Sequence, residues 1–134
     1  MVHDLDLFLS WVDSPIVEVR ACGLSVKSGG LDVVEAWLET ESGCVATLCA
    51  SRLSHKKERV IRLVGPEDYW SIDLANGDAR AIKWRSGDLS PLALTGGTED
   101  AVERFHDAFL AAVRGEGPFP CPASDSHRVL EVLA

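Results

Sequence analysis

Three groups of side chains in this sequence have the types and spacing to do chemistry. The first is His3, in the opening stretch MVHDLDLFL. It stands at the doorstep of an amphipathic helical segment, where an imidazole can serve as a neutral proton acceptor or base. A terminal histidine with no role is the bland alternative. Asp4 and Asp6 could join it as metal ligands. Acids in a first helical turn already complement the helix dipole, however, and consecutive residues there point in different directions around the axis.

The second group is Ser51, Arg52, Lys56, Lys57 and Arg59, which cluster where an apolar run ends in an otherwise acidic chain. Arg52 could hold a substrate carboxylate or phosphate through a bidentate contact, with Ser51 beside it. Lys56, Lys57 and His55 read as a solvated loop. The third group, His106 and His127, falls on helical segments at positions best read as surface. The chain has no G-x-G-x-x-G after a strand, no G-x-x-x-x-G-K-[ST] and no G-x-S-x-G, so no nucleotide phosphate is bound here by a recognised route. The four cysteines form no C-x-x-C pair. Cys44 and Cys49 are an odd number apart in a strand-like run and so face opposite sides, which argues against zinc. Reduced, mostly buried thiols in a cytoplasmic protein are expected.

These groups need elements to position them. Leu5, Phe8, Leu9 and Val12 recur at helical spacing, and D-S-P at 13–15 stops the pattern, so the first helix is expected over residues 4–12. Val17, Val19 and Ala21 alternate with Glu18 and Arg20 as in a half-buried strand. After Gly23 the apolar phase moves to Leu24 and Val26, which predicts a bulge near Cys22–Gly23. Val34, Ala36 and Leu38 oppose Glu35, Trp37 and Glu39 in the next strand. CVATLCAS is apolar on both faces and is expected to be central. VIRLVG is a further strand. In YWSIDLANGDARAIKW, Asn76–Gly77 reads as a two-residue hairpin turn, pairing Asp73 with Arg80, Ser71 with Ile82 and Tyr69 with Trp84.

RSGDLSPLALTGG is loop or edge. TEDAVERFHDAFLAAVRGEG is a strong helix with a Val102, Phe105, Phe109, Val113 stripe, an Asp100/Glu103 capping box and Gly115 at its end. A helix of about two turns closes the chain. The fold class is α+β: a two-layer sandwich with a predominantly antiparallel sheet of about six strands, helices on one face, and the other face open for oligomerisation. Trp37 and Trp70 are candidates for that open face.

At 134 residues a single domain, 1–134, is expected. Hydrophobic residues at 46% and charged residues at 25% describe a globular chain. A net charge of −8 argues against nucleic acid and anionic membrane surfaces as partners. No apolar run reaches the roughly 20 residues of a membrane span, and the start has no signal-peptide pattern.

Taken in order, these stretches resemble the C-terminal domain of the Gfo/Idh/MocA oxidoreductases. HDLD at 3–6 matches the family's D-x-x-x-H-D-[IL]-D. GCVATLCASR, KKERVIRLVG, a Tyr/Trp strand ending in D-L, DAVERFHDAFLAAVRGEG and PASDSHRVLEV follow in the family's sequence of motifs. The resemblance covers nearly the whole chain. It implies NAD or NADP chemistry on a sugar, polyol or nucleotide-sugar hydroxyl. In the family this histidine, an Asp four residues earlier and the Lys of an E-K-P motif move the hydroxyl proton. Only His3 has a counterpart here. The Asp would precede Met1, and the E-K-P lysine and glycine-rich fingerprint belong to an N-terminal nucleotide-binding domain that this chain lacks. The family's last helix is also usually longer.

The expectation is therefore a substrate-binding and oligomerisation domain. His3 would be catalytic, Arg52 and Ser51 would bind substrate, and the chain alone would be inactive and bind no cofactor. A homodimer or larger assembly would form through the open sheet face. A stand-alone, non-enzymatic dimeric module that binds a small acid, a sugar or a partner protein is the alternative. A small metal enzyme built on His3, Asp4 and Asp6 is a third.

Overall fold

The computed structural model describes residues 1–85, 88–93 and 100–134. The order of elements is α1 (Val2–Trp11), β1 (Ile16–Leu24), β2 (Val33–Thr40), β3 (Val45–Ser51), β4 (Val60–Val64), β5 (Asp68–Asp73), β6 (Asp78–Arg85), β7 (Asp88–Ala93), α2 (Ala101–Val113) and α3 (Ala123–Leu133). The fold class is α+β, and every described strand pair is antiparallel. The strands divide into a three-stranded sheet, β1-β2-β3, and a four-stranded one, β4-β5-β6-β7. The chain forms two compact units, Met1–Leu53 with Arg104–Ala134, and Ser54–Glu103. Among the described residues no helix is long and apolar enough to cross a membrane.

In the first unit the core lies between one face of the three-stranded sheet and helices α1 and α3. Leu5 and Leu9, four apart on α1, are buried with Leu38 of β2 and Val129 of α3. Phe8, Ile16, Ala46, Leu48 and Val132 pack around them. Helix α1 starts earlier than its periodicity implied. The Met1 carbonyl accepts the N–H groups of Asp4 (3.0 Å) and Leu5 (2.9 Å), so the helix begins at Val2 and takes in His3. Its end is one residue short of the expected Val12, which is already extended. Helix α3 is longer than the expected two turns, because Pro122 at its N-cap sets the extended entry geometry and the helix then runs 11 residues.

The bulge in β1 is not at Cys22–Gly23. Pairing runs unbroken from Glu18 opposite Glu39 to Leu24 opposite Val33, and the register shift lies between Ile16 and Glu18. The change of apolar phase near Gly23 has another cause. Leu31, from the β1–β2 connection, lies across Gly23 so closely that an added Cβ would sit 2.8 Å from its Cδ2. A side chain from the loop thus occupies the place of the one glycine lacks.

Strand β3 is also not central; β2 is, and β3 lies on the margin of its sheet. Ala46 and Leu48 of β3 serve the core, while Val45 on the other face is 51% exposed. An apolar residue there reports a surface uncovered in this chain and not a central place in the sheet. From the pairing, that open face carries Glu18, Arg20, Cys22 and Leu24 of β1, Val33, Glu35, Trp37 and Glu39 of β2, and Val45, Thr47, Cys49 and Ser51 of β3. The cysteines are unpaired. Cys22, Cys49 and Cys121 are exposed and Cys44 is half-buried, against the expectation of mostly buried thiols. They sit on the open face and in connections, where the core does not reach.

Helix α2 follows its sequence signals closely. Asp100 Oδ1 accepts the Val102 N–H at 2.8 Å. Gly115, at φ +76°, closes the other end, with Gly115 N–H on Ala112 O and Glu116 N–H on Ala111 O. Its stripe residues Val102, Phe105, Phe109 and Val113 are exposed, and Phe109 meets Phe119 edge-on at 5.3 Å.

In the second unit the β5–β6 hairpin exists, but its register is slipped by two residues. Asp73 faces Asp78, Ser71 faces Arg80 and Tyr69 faces Ile82. The turn chemistry explains this. Asp73 Oδ1 accepts the Ala75 N–H (2.8 Å), Oδ2 accepts Asn76 Nδ2 (2.9 Å), and Gly77 at φ +74° returns its N–H to Asp73 O (2.9 Å). An aspartate that shapes its own turn gives a four-residue loop in place of the two-residue one. Trp84 therefore passes Tyr69, and its Nε1–H reaches Pro66 O at 3.1 Å. Trp70 of β5 is half-buried. Strand β7 lies at the sheet edge with Pro91 in it, where a missing N–H is tolerated. Residues 86–87 and 94–97 of the stretch read as loop or edge, and residues 98–99 of the stretch read as helix, lie outside the described residues.

Candidate functional site

His3 is the second residue of α1 and is exposed. Its neighbour Asp4 pairs with the Met1 amino group at 3.0 Å. Among the described residues no three His, Cys, Asp or Glu side chains come close enough to share a metal ion. His3, Asp4 and Asp6 form no such group; successive residues of a first turn point different ways around the axis.

Ser51 and Arg52 stand where β3 ends, in the same unit as His3. The Ser51 hydroxyl accepts the Leu53 N–H at 3.1 Å, turning the chain just after the strand. The Arg52 N–H donates to Asp32 O at 2.8 Å. Both side chains are exposed, and no hydrogen bond or ion pair among the described residues joins either of them to His3. Lys56, Lys57 and Arg59 belong to the second unit, and Lys56, Lys57 and His55 are exposed there. His106 is exposed beside the Phe105 ring, and exposed His127 faces Glu131 at 3.3 Å.

Asp32 is the residue that sequence reasoning missed. It is 3% exposed, yet its Oδ2 accepts three consecutive amides: Val26 N–H (2.9 Å), Lys27 N–H (2.6 Å) and Ser28 N–H (3.0 Å). The Ser28 hydroxyl and these amides hold its carboxyl well below the usual carboxylate range, against the opposing pull of burial. The available signal was an Asp closing S-G-G-L-D, since Asp side chains shape turns by bonding nearby backbone.

Two shallow hollows flank α1. One, of about 380 Å³, lies among Leu9, Pro15, Ile16, Arg128 and Glu131; the other, of about 420 Å³, lies among Asp6, Ser10, Asp13, Asp125 and Arg128. Neither includes His3, Ser51 or Arg52. A dinucleotide cradle needs parallel strands joined by a helix, with a glycine-rich turn at the helix start. The described strands are all antiparallel, so no cradle of that kind forms among the described residues. What this arrangement offers is an exposed imidazole, and an exposed guanidinium on a fixed backbone.

No family model matches the chain. Over 136 residues, 97% of its length, it is 29% identical to UDP-N-acetylglucosamine 3-dehydrogenase of Acidithiobacillus ferrooxidans, and it spans 44% of that relative's length. A solved structure of that bacterium's UDP-N-acetylglucosamine 3-dehydrogenase superposes on 99% of the chain with a TM-score of 0.90 and 30% identity, the match taking in 43% of the solved chain. Biliverdin reductase from Synechocystis, solved with biliverdin and NADP+, shares the fold over 98% of the chain, with a TM-score of 0.77, 16% identity and 42% of its own length matched.

Proposed function

From homologues that are oxidoreductases of the Gfo/Idh/MocA type, UDP-N-acetylglucosamine 3-dehydrogenase among them, we propose that this chain is the substrate-binding and oligomerisation domain of an NAD(P)-dependent oxidoreductase. Its substrate is a nucleotide sugar or a related sugar or polyol. The observation that carries this reading is a match along nearly the whole of this chain to 43–44% of a nucleotide-sugar dehydrogenase.

In this reading His3 accepts or returns the proton of the reacting hydroxyl. Exposure on the first turn of α1 lets a substrate oxygen come within hydrogen-bond reach. Arg52, with Ser51 beside it, grips the anionic part of the substrate. The cofactor, NAD or NADP, is held outside these residues, by a nucleotide-binding domain. Exposed, unpaired cysteines suit the cytoplasm. The open face around Arg20 and Trp37 is the contact through which copies of the chain associate.

The purified chain tests this. Nuclear magnetic resonance titration with UDP-N-acetylglucosamine should shift resonances around His3 and Arg52, while NAD(P)H with the same sugar nucleotide should give no turnover. Absence of any shift, or turnover by this chain alone, overturns the reading.

The non-enzymatic dimeric module remains the second reading, favoured by Leu24 and Val45, exposed at 64% and 51% on that open face. It predicts self-association without sugar-nucleotide binding.

A further inference from the structure

We infer that Asp32 is a positioning residue for Arg52, holding it to receive the diphosphate of a nucleotide sugar. The inference rests on the proposed anion-binding role of Arg52. The connection between β1 and β2 would be a loose apolar and glycine-containing loop, with Val26 and Leu31 exposed on it. Three of its successive amides instead converge on one buried carboxylate oxygen of Asp32. Burying a carboxylate is costly unless its hydrogen bonds are met, and these are charge-assisted.

The main chain of the same residue faces two ways. Its N–H donates to Leu24 O at 2.8 Å, closing the two ends of the connection. Its carbonyl accepts the Arg52 N–H at 2.8 Å, one step beyond the last β2–β3 pair, Val33 with Ser51. The turn after Arg52 is set by the Ser51 hydroxyl on the Leu53 N–H. Arg52 is thus fixed along its backbone on both sides while its side chain stays exposed.

This arrangement suits anion capture for two reasons. A guanidinium on a fixed backbone loses less freedom when it closes on two phosphate oxygens. The Asp32 carboxylate is committed to three amides of its own loop, so it does not compete with the ligand for Arg52. Asp32 contributes geometry and withholds its charge.

The test titrates UDP-N-acetylglucosamine into four forms of the chain: unaltered, Arg52→Ala, Asp32→Asn, and the double variant. The expected result is that Asp32→Asn weakens binding about tenfold and that the double variant binds no worse than Arg52→Ala. Unchanged binding by Asp32→Asn, or independent losses that multiply in the double variant, overturns the inference and leaves the Arg52 reading standing. Unchanged binding by Arg52→Ala overturns that reading and the inference with it, as does no binding by the unaltered chain. If Asp32→Asn does not fold, Ser28→Ala replaces it, removing only the hydroxyl beside the carboxylate. It should weaken binding in the same coupled way, and binding equal to the unaltered chain overturns the inference.

Discussion

The Arg20 guanidinium lies 5.2 Å over the ring of Trp37, and its Nε–H donates to Glu18. The two residues face each other across β1 and β2 on the open side of the sheet, two pairs along from Glu18 opposite Glu39 and next to it on that face. Arg20 thus relieves a facing pair of like charges and covers an aromatic ring that would otherwise meet water. Arginine and tryptophan are residue types enriched at interface centres in general.

If that face joins copies of the chain, Trp37→Ala abolishes self-association in sedimentation velocity. Loss of the exposed cation–π contact costs the fold about 0.5–1 kcal/mol, and loss of the half-buried ring adds to that. Undiminished self-association in this variant would rule the face out as the contact.

The α1–β2–α3 core is thin, and its large side chains carry it. Leu5 and Leu38, each 1% exposed, pack in one cluster. Leu5→Ala or Leu38→Ala should each cost about 2–5 kcal/mol in urea unfolding of this unit. Because the two share one cluster, the double variant should cost less than the sum of the singles.

Asp32 makes stability depend on acid. Its carboxyl is depressed in the folded chain from an ordinary value of 3.8. The sign follows from linkage: the unfolded chain binds the proton more readily, so the contribution is complete above the ordinary value and is lost as pH falls below it. Thermal unfolding between pH 6 and pH 3 should show a drop in midpoint that Asp32→Asn reduces. An identical drop in that variant would place the acid sensitivity elsewhere.

Cys49 faces Glu35 across β2 and β3. Its thiol is pushed up by its hydrogen bond to that carboxylate, then by burial and by the nearby charge. The thiolate is the reactive form, so alkylation of Cys49 at pH 8 should be slow for so exposed a thiol. Glu35→Gln should speed it, which mass spectrometry of the labelled chain reads directly. No change in rate would mean the carboxylate does not govern this thiol.

Much of the fold was legible because it is local. Helix α2 carries both of its end signals in the residues that flank it, at Asp100 and Gly115, and forms as those signals require. The β5–β6 hairpin was legible in a different sense. A slip of two residues leaves every side chain on the face it would have had, since the period of a strand is two. The partition of faces therefore survived while every cross-strand partner changed, because Asp73 bonds its own turn.

The motif around His3 and the basic residue Arg52 could be picked out by residue type alone. Both belong to one unit, but no bond between them connects the two readings.

Local sequence signals were sufficient to set the fold class, the ends of α2, the faces of the β5–β6 hairpin and the chemical types at His3 and Arg52, since each depends on neighbours a few residues away; they did not set the faces of β1, where Val17, Val19 and Leu24 are exposed. Tertiary structure decided that β2 lies between β1 and β3, that Leu31 fills the place above Gly23, and that Asp32 holds both its own loop and Arg52. Those depend on which strand lies beside which. The free energy that selects such neighbours comes from burying Leu5, Leu9, Leu38 and Val129 together, residues spread from one end of the chain to the other.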